Sequence, residues 1–592
     1  MKKGSLSVHS ENILPIIKKW LYSSKEIFLR ELVSNATDAI QKRLVLQGSN
    51  AAHKISVQLD TAKKTLTISD TGLGMTEEEV EKYIAQIAFS GAEAFVSKYQ
   101  EAKEAIIGHF GLGFYSAYMV AQRVEIETLS YLPDAKPVFW SCDGSSDYSI
   151  GAGSRAEVGT SIILHLDEEN QTSMKEAKVR ELLTRYCSFL PFPIDLNDQP
   201  LNNQDPLWLK NPSECTEADY LSFYRTLFPM EPEPVFWIHL NVEYPFRLKG
   251  ILYFPKRIRR FEQQEKEIRL YCNRVFVSDQ CTDILPEYLT LLRGAIDSPD
   301  IPLNVSRSYL QVDQHVKQLS THIAKKVADR LVSLYKTERD AYIAAWADVE
   351  PIVKLGLLQD EKFSERVQEA LIWKTTQNSW TTISEIRAAT QDLSKIYYSL
   401  EEGAAALQNL YKGTVICANS GIDTAVLQHL ENKLSPLEFQ RIDSELADHL
   451  LDPTREKTLL DADGKSEATH IADIVRRALD QKDLEVEAKS LSSDQLHGVI
   501  LFDEQNRRLR DYLAATQGAV PDHFHGKRRF VINTNSPLVQ ALKRLNESLA
   551  TELAQQLYDL ARLNQREVSA NQVEELAARQ ARLLEALVAK LP

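Results

Sequence analysis

The sequence lacks several features that mark specialised protein classes. It has only six cysteines in 592 residues and no CxxC pair, so neither a zinc site nor a disulfide framework is predicted. No apolar run reaches the ~18 residues that a membrane span needs, and the first residues lack the apolar core and small-residue cleavage site of a signal peptide. We therefore expect a cytoplasmic protein with no membrane partner.

Positive charge is also in deficit. Lys and Arg number 69 against 83 Asp and Glu, and the net charge of −14 argues against a nucleic-acid partner. One basic cluster, Lys256, Arg257, Arg259 and Arg260, is typical of a solvated edge more than of a nucleic-acid patch. The composition is otherwise that of a globular protein, and the length allows about four domains of roughly 150 residues.

Hydrophobic periodicity predicts an α+β sandwich in the N-terminal third. Residues 53–70 alternate apolar and polar positions, as a β-hairpin with one buried face does. Thr76 and Glu79 form a capping box that predicts the start of a helix. Strands at 122–129 and 159–166 add to a mostly antiparallel sheet with helices on one side.

Two polar, turn-rich stretches divide the chain. Residues 195–215 are rich in Asn, Asp and Pro, and a similar stretch lies near 465. We therefore predict an N-terminal domain, an α/β middle domain and a mixed, mostly helical C-terminal domain. Their predicted bounds are 1–210, 215–465 and 466–592.

A polar stripe lies on the helix predicted within residues 10–50. Glu31, Asn35 and Asp38 stand at i, i+4 and i+7, which places two carboxylates and an amide on one face. Apolar residues form the neighbouring stripe. The polar stripe is either the solvated side of a surface helix or a site that supplies a base and an oxygen ligand for a hard cation.

Three later segments are candidates for the same site. Asp70 ends a strand before Gly74, where the acid can accept a hydrogen bond from an exocyclic amine, although a plain turn is the alternative. The glycine-rich segment 106–121 either presents backbone N–H groups to phosphate oxygens or is a hinge, and it matches neither GxGxxG nor the P-loop. Thr160 either supports Asp70 or a bound water, or is an ordinary strand residue.

These segments, in order, resemble the nucleotide pocket of the GHKL ATPases, and specifically that of the 90-kilodalton heat-shock chaperones. The matching text is LYSSKEIFLRELVSNATDA, SDTGLGMT, IGHFGLGFYSAYMVA and GTSIILHL. The resemblance continues in ILYFPKR, LYCNRVFV and ILPEYLTLLRGAIDSPDIPLNVSRSYLQ, and is looser after residue 310. The compact bacterial form of the family fits best, because there is neither a long acidic linker nor an acidic tail. The resemblance implies a GHKL, or Bergerat-type, ATPase fold for the N-terminal domain.

The resemblance implies ATP and Mg²⁺ as cofactors and a role for individual residues. Glu31 would orient and activate the attacking water, and Asn35 would give its amide oxygen to Mg²⁺, a cation that keeps much of its hydration shell. Asp70 would read the adenine amino group. A mobile lid would span about 90–108. The other nucleotide-binding positions would be Asp38, Gly74, Met75, Gly108, Gly111, Gly113, Phe114 and Thr160.

A catalytic loop is implied in the middle domain. The segment NVSRSYLQ carries Arg307 and, four residues on, Gln311, which would reach the γ-phosphate. An arginine in this role is worth roughly 10³–10⁵ in rate in GTPases. Without the resemblance, a surface arginine that caps a helix is the alternative.

The implied activity is that of an ATP-dependent molecular chaperone. Slow ATP hydrolysis would drive closure of a homodimer that binds and remodels unfolded or partly folded client proteins, and co-chaperones are further candidate partners. Residues 573–591 carry an apolar stripe at helical spacing, which can be buried within the chain or against a second copy.

The chain departs from the family pattern at several positions near the lid. Tyr83 stands where the family usually has Asn, and Phe89 where it usually has Lys. Loss of the Lys cation removes one charge-assisted contact, worth about 1–3 kcal/mol of phosphate binding. His109 replaces a common Gln and Ser308 a common Glu. The middle segment 340–465 keeps only the outline of the family. We still expect ATP to bind and turn over.

Two other functions are open. Tyr83 and Phe89 motivate a non-hydrolysing holdase scaffold with a degenerate nucleotide pocket. A different GHKL enzyme is the second, but a sensor kinase needs a phospho-acceptor helix before the ATP domain, and a DNA-strand-passing subunit should be basic, whereas this chain carries −14.

Overall fold

A computed structural model gives two compact units, Met1–Arg330 and Leu331–Pro592. Within the described ranges, none of the helices combines the length and apolar character that a membrane crossing requires. The structure describes residues 24–48, 52–87, 106–108, 111–145, 147–244, 246–256, 268–279, 285–301, 314–389, 394–399, 405–408, 413–419, 421–446, 450–455, 466–504, 528–565 and 570–588, and the single residues 89, 95, 99, 411, 508 and 568.

An eight-stranded sheet forms the first part of the N-terminal unit. Its strands are β1 Ile55–Asp60, β2 Thr65–Asp70, β3 Ala121–Leu129, β4 Val138–Cys142, β5 Tyr148–Ala152, β6 Gly159–Leu166, β7 Ile194–Leu196 and β8 Gln199–Pro200. They are ordered β5-β4-β3-β6-β2-β1-β7-β8. Only β1 and β7 pair in parallel. The predicted hairpin is confirmed, because β1 and β2 pair antiparallel with Ile55 opposite Asp70.

One long helix supplies much of the core beside this sheet. The helices of this part are α1 Ile27–Gln47, α2 Glu77–Tyr83, α3 Glu168–Ser173 and α4 Glu176–Cys187, with a 3₁₀ helix at Gly113–Met119. Phe28, Leu32 and Val33 on α1 are fully buried in the core. The predicted capping box is also confirmed, because Thr76 Oγ1 accepts from Glu79 N while the Glu79 carboxylate accepts from Thr76 N.

A second, five-stranded sheet follows in the same unit. Its elements are α5 Glu217–Leu227, β9 Phe236–Val242, β10 Leu248–Phe254, β11 Ile268–Cys272, β12 Val275–Ser278 and β13 Arg293–Asp297. The strand order is β12-β11-β13-β10-β9. Aromatic rings join this sheet to the first part in one core, where Trp208 lies 4.8 Å from Phe189 and 5.2 Å from Tyr271 between ring centroids.

The described residues of the second unit form three small sheets and most of the remaining helices. Its strands pair as β14-β15, as β17-β16-β18 and as β19-β21-β20. The strands are β14 Ile372–Lys374, β15 Trp380–Thr382, β16 Lys395–Ser399, β17 Val415–Cys417, β18 Glu438–Arg441, β19 Leu484–Lys489, β20 Gly498–Phe502 and β21 Arg528–Asn533. The helices from Gln314 onward are α6 Gln314–Thr337, α7 Arg339–Gln359, α8 Glu361–Val367, α9 Ile383–Ala389, α10 Ala405–Gln408, α11 Gly421–Leu434, α12 Glu467–Leu479, α13 Pro537–Ala541, α14 Glu547–Asn564 and α15 Ala570–Val588.

The predicted α+β class is confirmed by these elements. The domain bounds near residues 210 and 465 stay predictions, because the two compact units meet at residues 330 and 331 and test neither bound. The predicted helix within 573–591 is present as α15 over its described part.

Candidate functional site

Glu31 lies on the predicted polar face of α1 and is only 8% exposed. Arg30 donates to its Oε1 from Nε at 3.1 Å and from Nη2 at 3.0 Å. A Cβ built on Gly113 would lie 2.8 Å from Oε2, so glycine is what lets the backbone come this close to the carboxylate. One carboxylate oxygen is therefore held by Arg30, and the other lies beside the glycine-rich segment.

Asn35 and Asp38 meet the same segment one and two turns further along α1. The Asp38 carboxylate accepts from Ile107 N at 2.7 Å and from Gly108 N at 2.6 Å. A Cβ on Gly108 would lie 3.6 Å from Asn35 Oδ1. Among the described residues the Asn35 amide forms no hydrogen bond, which leaves its oxygen available to a cation. Asp38 thus fixes the loop backbone, and its contact with a nucleotide stays a prediction.

Asp70 is a buried carboxylate at the end of β2. Its Oδ1 accepts from Gly72 N at 2.7 Å. Burial raises the pKa of Asp70 to about 6, against the opposing effects of that hydrogen bond, of the Thr160 backbone and of the nearby Arg155 and Arg43 charges. The site therefore contains an acceptor that is ionised at neutral pH with little solvent around it.

Thr160 lies opposite Asp70 in the β2–β6 pair. Its hydroxyl is 2.9 Å from the hydroxyl of Thr128, which in turn donates to Gly159 O and accepts from Met75 N at 2.9 Å. The predicted link between Thr160 and Asp70 therefore runs through the backbone, while the side chain joins a hydroxyl pair that anchors Met75.

Gly74 has a backbone conformation and a contact that require glycine. Its φ is +64°, and a Cβ there would lie 1.8 Å from Leu129 O. Met75, the next residue, is half-buried. The chain thus passes directly over β3 at the point where the sequence predicts contact with a flat ring.

The described end of the glycine-rich segment enters a helix, as predicted, but of the 3₁₀ type. Gly111 has φ +63°, and the 3₁₀ helix begins at Gly113, whose carbonyl accepts from Ser116 Oγ at 2.6 Å. Phe114 is buried against Trp140, with ring centroids 5.9 Å apart. The structure therefore brings together Glu31, Asn35, Asp38, Gly108 and Gly113.

The two unusual lid-side residues contact each other. The rings of Tyr83 and Phe89 stack with centroids 6.0 Å apart and an interplanar angle of 23°. Lys82 Nζ lies 5.3 Å from the Tyr83 centroid and 5.6 Å from that of Phe89. Tyr83 and Phe89, which replace the usual amide and cation, thus form one aromatic cluster, and the ammonium group of Lys82 lies against both rings.

Lys42 extends the polar stripe of α1 by one turn and is absent from the predicted site residues. It follows Asp38 by four residues on α1, and its Nζ lies 5.6 Å from the Phe95 ring centroid. Burial lowers the pKa of Lys42, while the Asp38 charge acts in the opposite direction. The sequence does contain a signal for Lys42, because its i+4 spacing from Asp38 places it on the same face of α1.

Several predicted positions lie outside the described residues. They are Arg307 and Gln311 of the catalytic loop, the departures His109 and Ser308, and most of the lid at 90–108. Their roles stay predictions.

Comparison with known proteins covers nearly the whole chain. Residues 22–142 match the family described as histidine kinase-, DNA gyrase B- and HSP90-like ATPase, and residues 197–590 match the Hsp90 protein family. A "Chaperone protein HtpG" of Porphyromonas gingivalis is 41% identical over 94% of this chain and 87% of its own length. Another of the same name from Bacteroides thetaiotaomicron is 41% identical over 91% and 84%. The mitochondrial TNF receptor-associated protein 1 homologue of Dictyostelium discoideum is 28% identical over 93% and 81%.

Proposed function

Since the chain belongs to the Hsp90 family, in its bacterial HtpG-type form, we propose that it is a slow ATPase whose turnover is coupled to closure of a chaperone homodimer. ATP-dependent chaperone activity follows from the family. No finding favours the non-hydrolysing scaffold.

The observation that carries the catalytic proposal is the meeting of α1 with the glycine-rich segment. Glu31 acts as the general base: Arg30 fixes one carboxylate oxygen, and the other is directed at the space kept open by Gly113. Phosphoryl transfer needs mainly positioning and charge stabilisation from the protein. One fixed carboxylate that orients the attacking water beside the phosphate-binding backbone meets the positioning requirement.

The residues present fit ATP with Mg²⁺. Bound Mg²⁺ would neutralise phosphate charge, and the Asn35 amide oxygen is the protein ligand that we assign to it. The buried Asp70 accepts from the adenine amino group, with Gly74 and Met75 along the ring and Thr160 behind them. Gly108, Gly111, Gly113 and Phe114 form the phosphate-binding backbone that Asp38 fixes, and Lys42 supplies a cation from α1.

We assign Arg307 and Gln311 to the γ-phosphate on the resemblance of their segment. Their arrival with the lid would make hydrolysis depend on closure, which couples turnover to shape. This explains how a slow ATPase can time a conformational cycle.

For the partners we propose a second copy of the chain and unfolded or partly folded client proteins, with co-chaperones as further candidates. Support for the homodimer comes from α15, on which Val573, Leu584 and Val588 are 46%, 55% and 63% exposed. A second copy of the helix would cover this stripe. Location in the cytoplasm stays a prediction from the sequence.

Steady-state ATP hydrolysis and ATP affinity, measured together, test the proposal. Glu31→Gln should lower kcat by roughly 10²–10⁴ with ATP affinity retained, since the base acts only on the chemical step. Arg307→Ala should also lower kcat.

Matched controls are Glu169→Gln and Arg185→Met, which change exposed members of surface ion pairs in the same unit. Both should hydrolyse ATP like the wild type. Full activity in Glu31→Gln would refute the assignment of the base.

A further inference from the structure

Arg155 links a loop to the strand end that carries Asp70. It lies between β5 and β6, and its guanidinium donates to three oxygens. Nη2 donates to the backbone carbonyl of Asp70 at 2.8 Å, Nε donates to Glu157 O at 2.9 Å, and Nη1 donates to Ser161 Oγ. The guanidinium thus spans the ends of β2 and β6, directly behind the carboxylate assigned to adenine.

The loop is built to hold this arginine in place. Ser154 donates from its N to Glu127 Oε2 at 2.8 Å, which fixes the residue before Arg155. Gly159 has φ +133°, and a Cβ there would lie 2.1 Å from Asp70 O and 2.9 Å from Arg155 Nη2. Only glycine therefore allows the arginine and the strand end to approach each other this closely.

Two cations of the described residues act on the Asp70 carboxyl. They are Arg155 and Arg43, and Arg155 acts more strongly. Arg43 donates to Thr71 O at 2.8 Å, and His53 Nδ1 lies 3.2 Å from the same oxygen. Glu157 and Glu127 face Arg155 from the loop and from β3. A positive charge fixed behind Asp70 favours the ionised, acceptor-only form of the carboxyl.

We propose that Arg155 is a positioning residue for base recognition: it keeps Asp70 ionised and correctly placed, so that the pocket selects a 6-amino purine over a 6-oxo purine. The inference rests on the proposed function, in which Asp70 reads the adenine amino group. An ionised carboxylate accepts from an amino group and repels a carbonyl oxygen, whereas a neutral carboxyl can donate to that carbonyl. Selection therefore depends on the protonation state that Arg155 helps to set.

The test measures dissociation constants of ATP and ITP between pH 5 and pH 8 with the full chain. In the wild type, preference for ATP should hold above pH 6 and fall below it. Arg155→Met should move this midpoint to higher pH and lower the ATP preference at pH 7 by roughly tenfold, the effect of one pKa unit. Arg155→Lys retains the charge and should restore the midpoint, even if the loss of hydrogen bonds lowers the affinity for both ATP and ITP.

The control is Arg123→Met, which removes an arginine of the same sheet that is 50% exposed and paired with Glu125. It should match the wild type. Infrared difference spectra of nucleotide-free protein, wild type minus Asp70→Asn, follow protonation of the Asp70 carboxyl directly and should show the same midpoint shift in Arg155→Met.

Two failures are distinguishable. If Asp70→Asn leaves ATP affinity and preference unchanged, the proposed role of Asp70 is wrong. If Asp70→Asn loses the ATP preference while Arg155→Met keeps the wild-type midpoint in both readouts, Arg155 is only a structural link and the inference is overturned.

Discussion

Carboxylates of the second unit and two carboxylates of the candidate site are held by different kinds of partner. In the second unit, the ammonium group of Lys354 lies between the carboxylates of Glu350 and Asp423, and its side chain is 3% exposed. Arg508 binds both oxygens of Glu431 at 2.8 and 2.9 Å. In the first unit, two carboxylates of the site accept hydrogen bonds from backbone N–H groups, Asp38 from Ile107 and Gly108 and Asp70 from Gly72.

This difference distinguishes carboxylates that stabilise the fold through ion pairs from carboxylates that remain able to bind a ligand. Arg339 holds the pKa of Glu385 in the second unit at about 2, whereas burial raises that of Asp70 to about 6. A carboxylate with both oxygens bound to a cation, as in Glu431, is neutralised by its partner, whereas Arg30 contacts only Oε1 of Glu31. A carboxylate fixed by backbone dipoles is equally well positioned but keeps its negative charge for an incoming donor.

The largest expected effect comes from breaking a pair in the second unit. Lys354→Met leaves Asp423 buried without its cation and should lower the free energy of unfolding by about 3–5 kcal/mol, measured by urea denaturation of the full chain. The double variant Lys354→Met, Asp423→Leu should recover most of this loss.

The matched control is Lys336→Met, because the Lys336–Glu369 pair is 57% and 61% exposed. An exposed pair contributes about 0–1 kcal/mol. Equal losses in Lys354→Met and Lys336→Met would show that the buried pair contributes no more to stability than the exposed one.

The next effect concerns a carboxylate held by the backbone. Asp38→Asn turns one acceptor into a donor that faces a backbone N–H, and should weaken ATP binding by about 1–3 kcal/mol while raising hydrogen exchange at residues 107 and 108. Asp60→Asn is the control, because Asp60 also accepts from two backbone N–H groups, but in an exposed turn. ATP affinity should be unchanged in that variant.

The pH dependence of ATP binding should reflect protonation of Asp70 and should not depend on Glu385. As pH falls through about 6, Asp70 becomes neutral, and ATP affinity should fall by up to about tenfold per unit. Stability has the opposite sense: because its pKa is raised, the contribution of Asp70 is complete below the ordinary pKa of 3.8 and is lost as pH rises through about 6. Glu385→Gln should leave the pH dependence of ATP affinity unchanged. A shifted pH dependence would contradict the assignment of Glu385 to packing and of Asp70 to the ligand.

The smallest effect sharpens the comparison within the first unit. Thr76 and Thr216 both form capping boxes, at the starts of α2 and α5. Each change to Ala should cost about 1 kcal/mol of stability. Only Thr76→Ala should also weaken ATP binding, because α2 follows Met75 and ends at the aromatic cluster of Tyr83. Equal ATP affinity in the two variants would show that α2 does not position the site.

The sequence predicts what depends on local spacing. The face of α1, the hairpin β1–β2 and the Thr76 cap all follow from periodicity or from residues three or four apart, and the structure contains them. Arg155 was not predicted, because its partner Asp70 is 85 residues away and no local pattern pairs them. The sequence indicates two separate losses at Tyr83 and Phe89, because only the folded chain shows that their rings stack.

The order of the strands has a consequence for synthesis of the protein. β2 pairs with β6, and the hydroxyls of Ser69 and Ser161 that meet across this pair are 92 residues apart. At ~5–20 residues per second, the ribosome delivers β6 roughly 5–20 s after β2. Until then the hairpin that ends in Asp70 has an unpaired edge, so the wall that we propose binds the purine is itself incomplete and open to wrong strand pairing during translation.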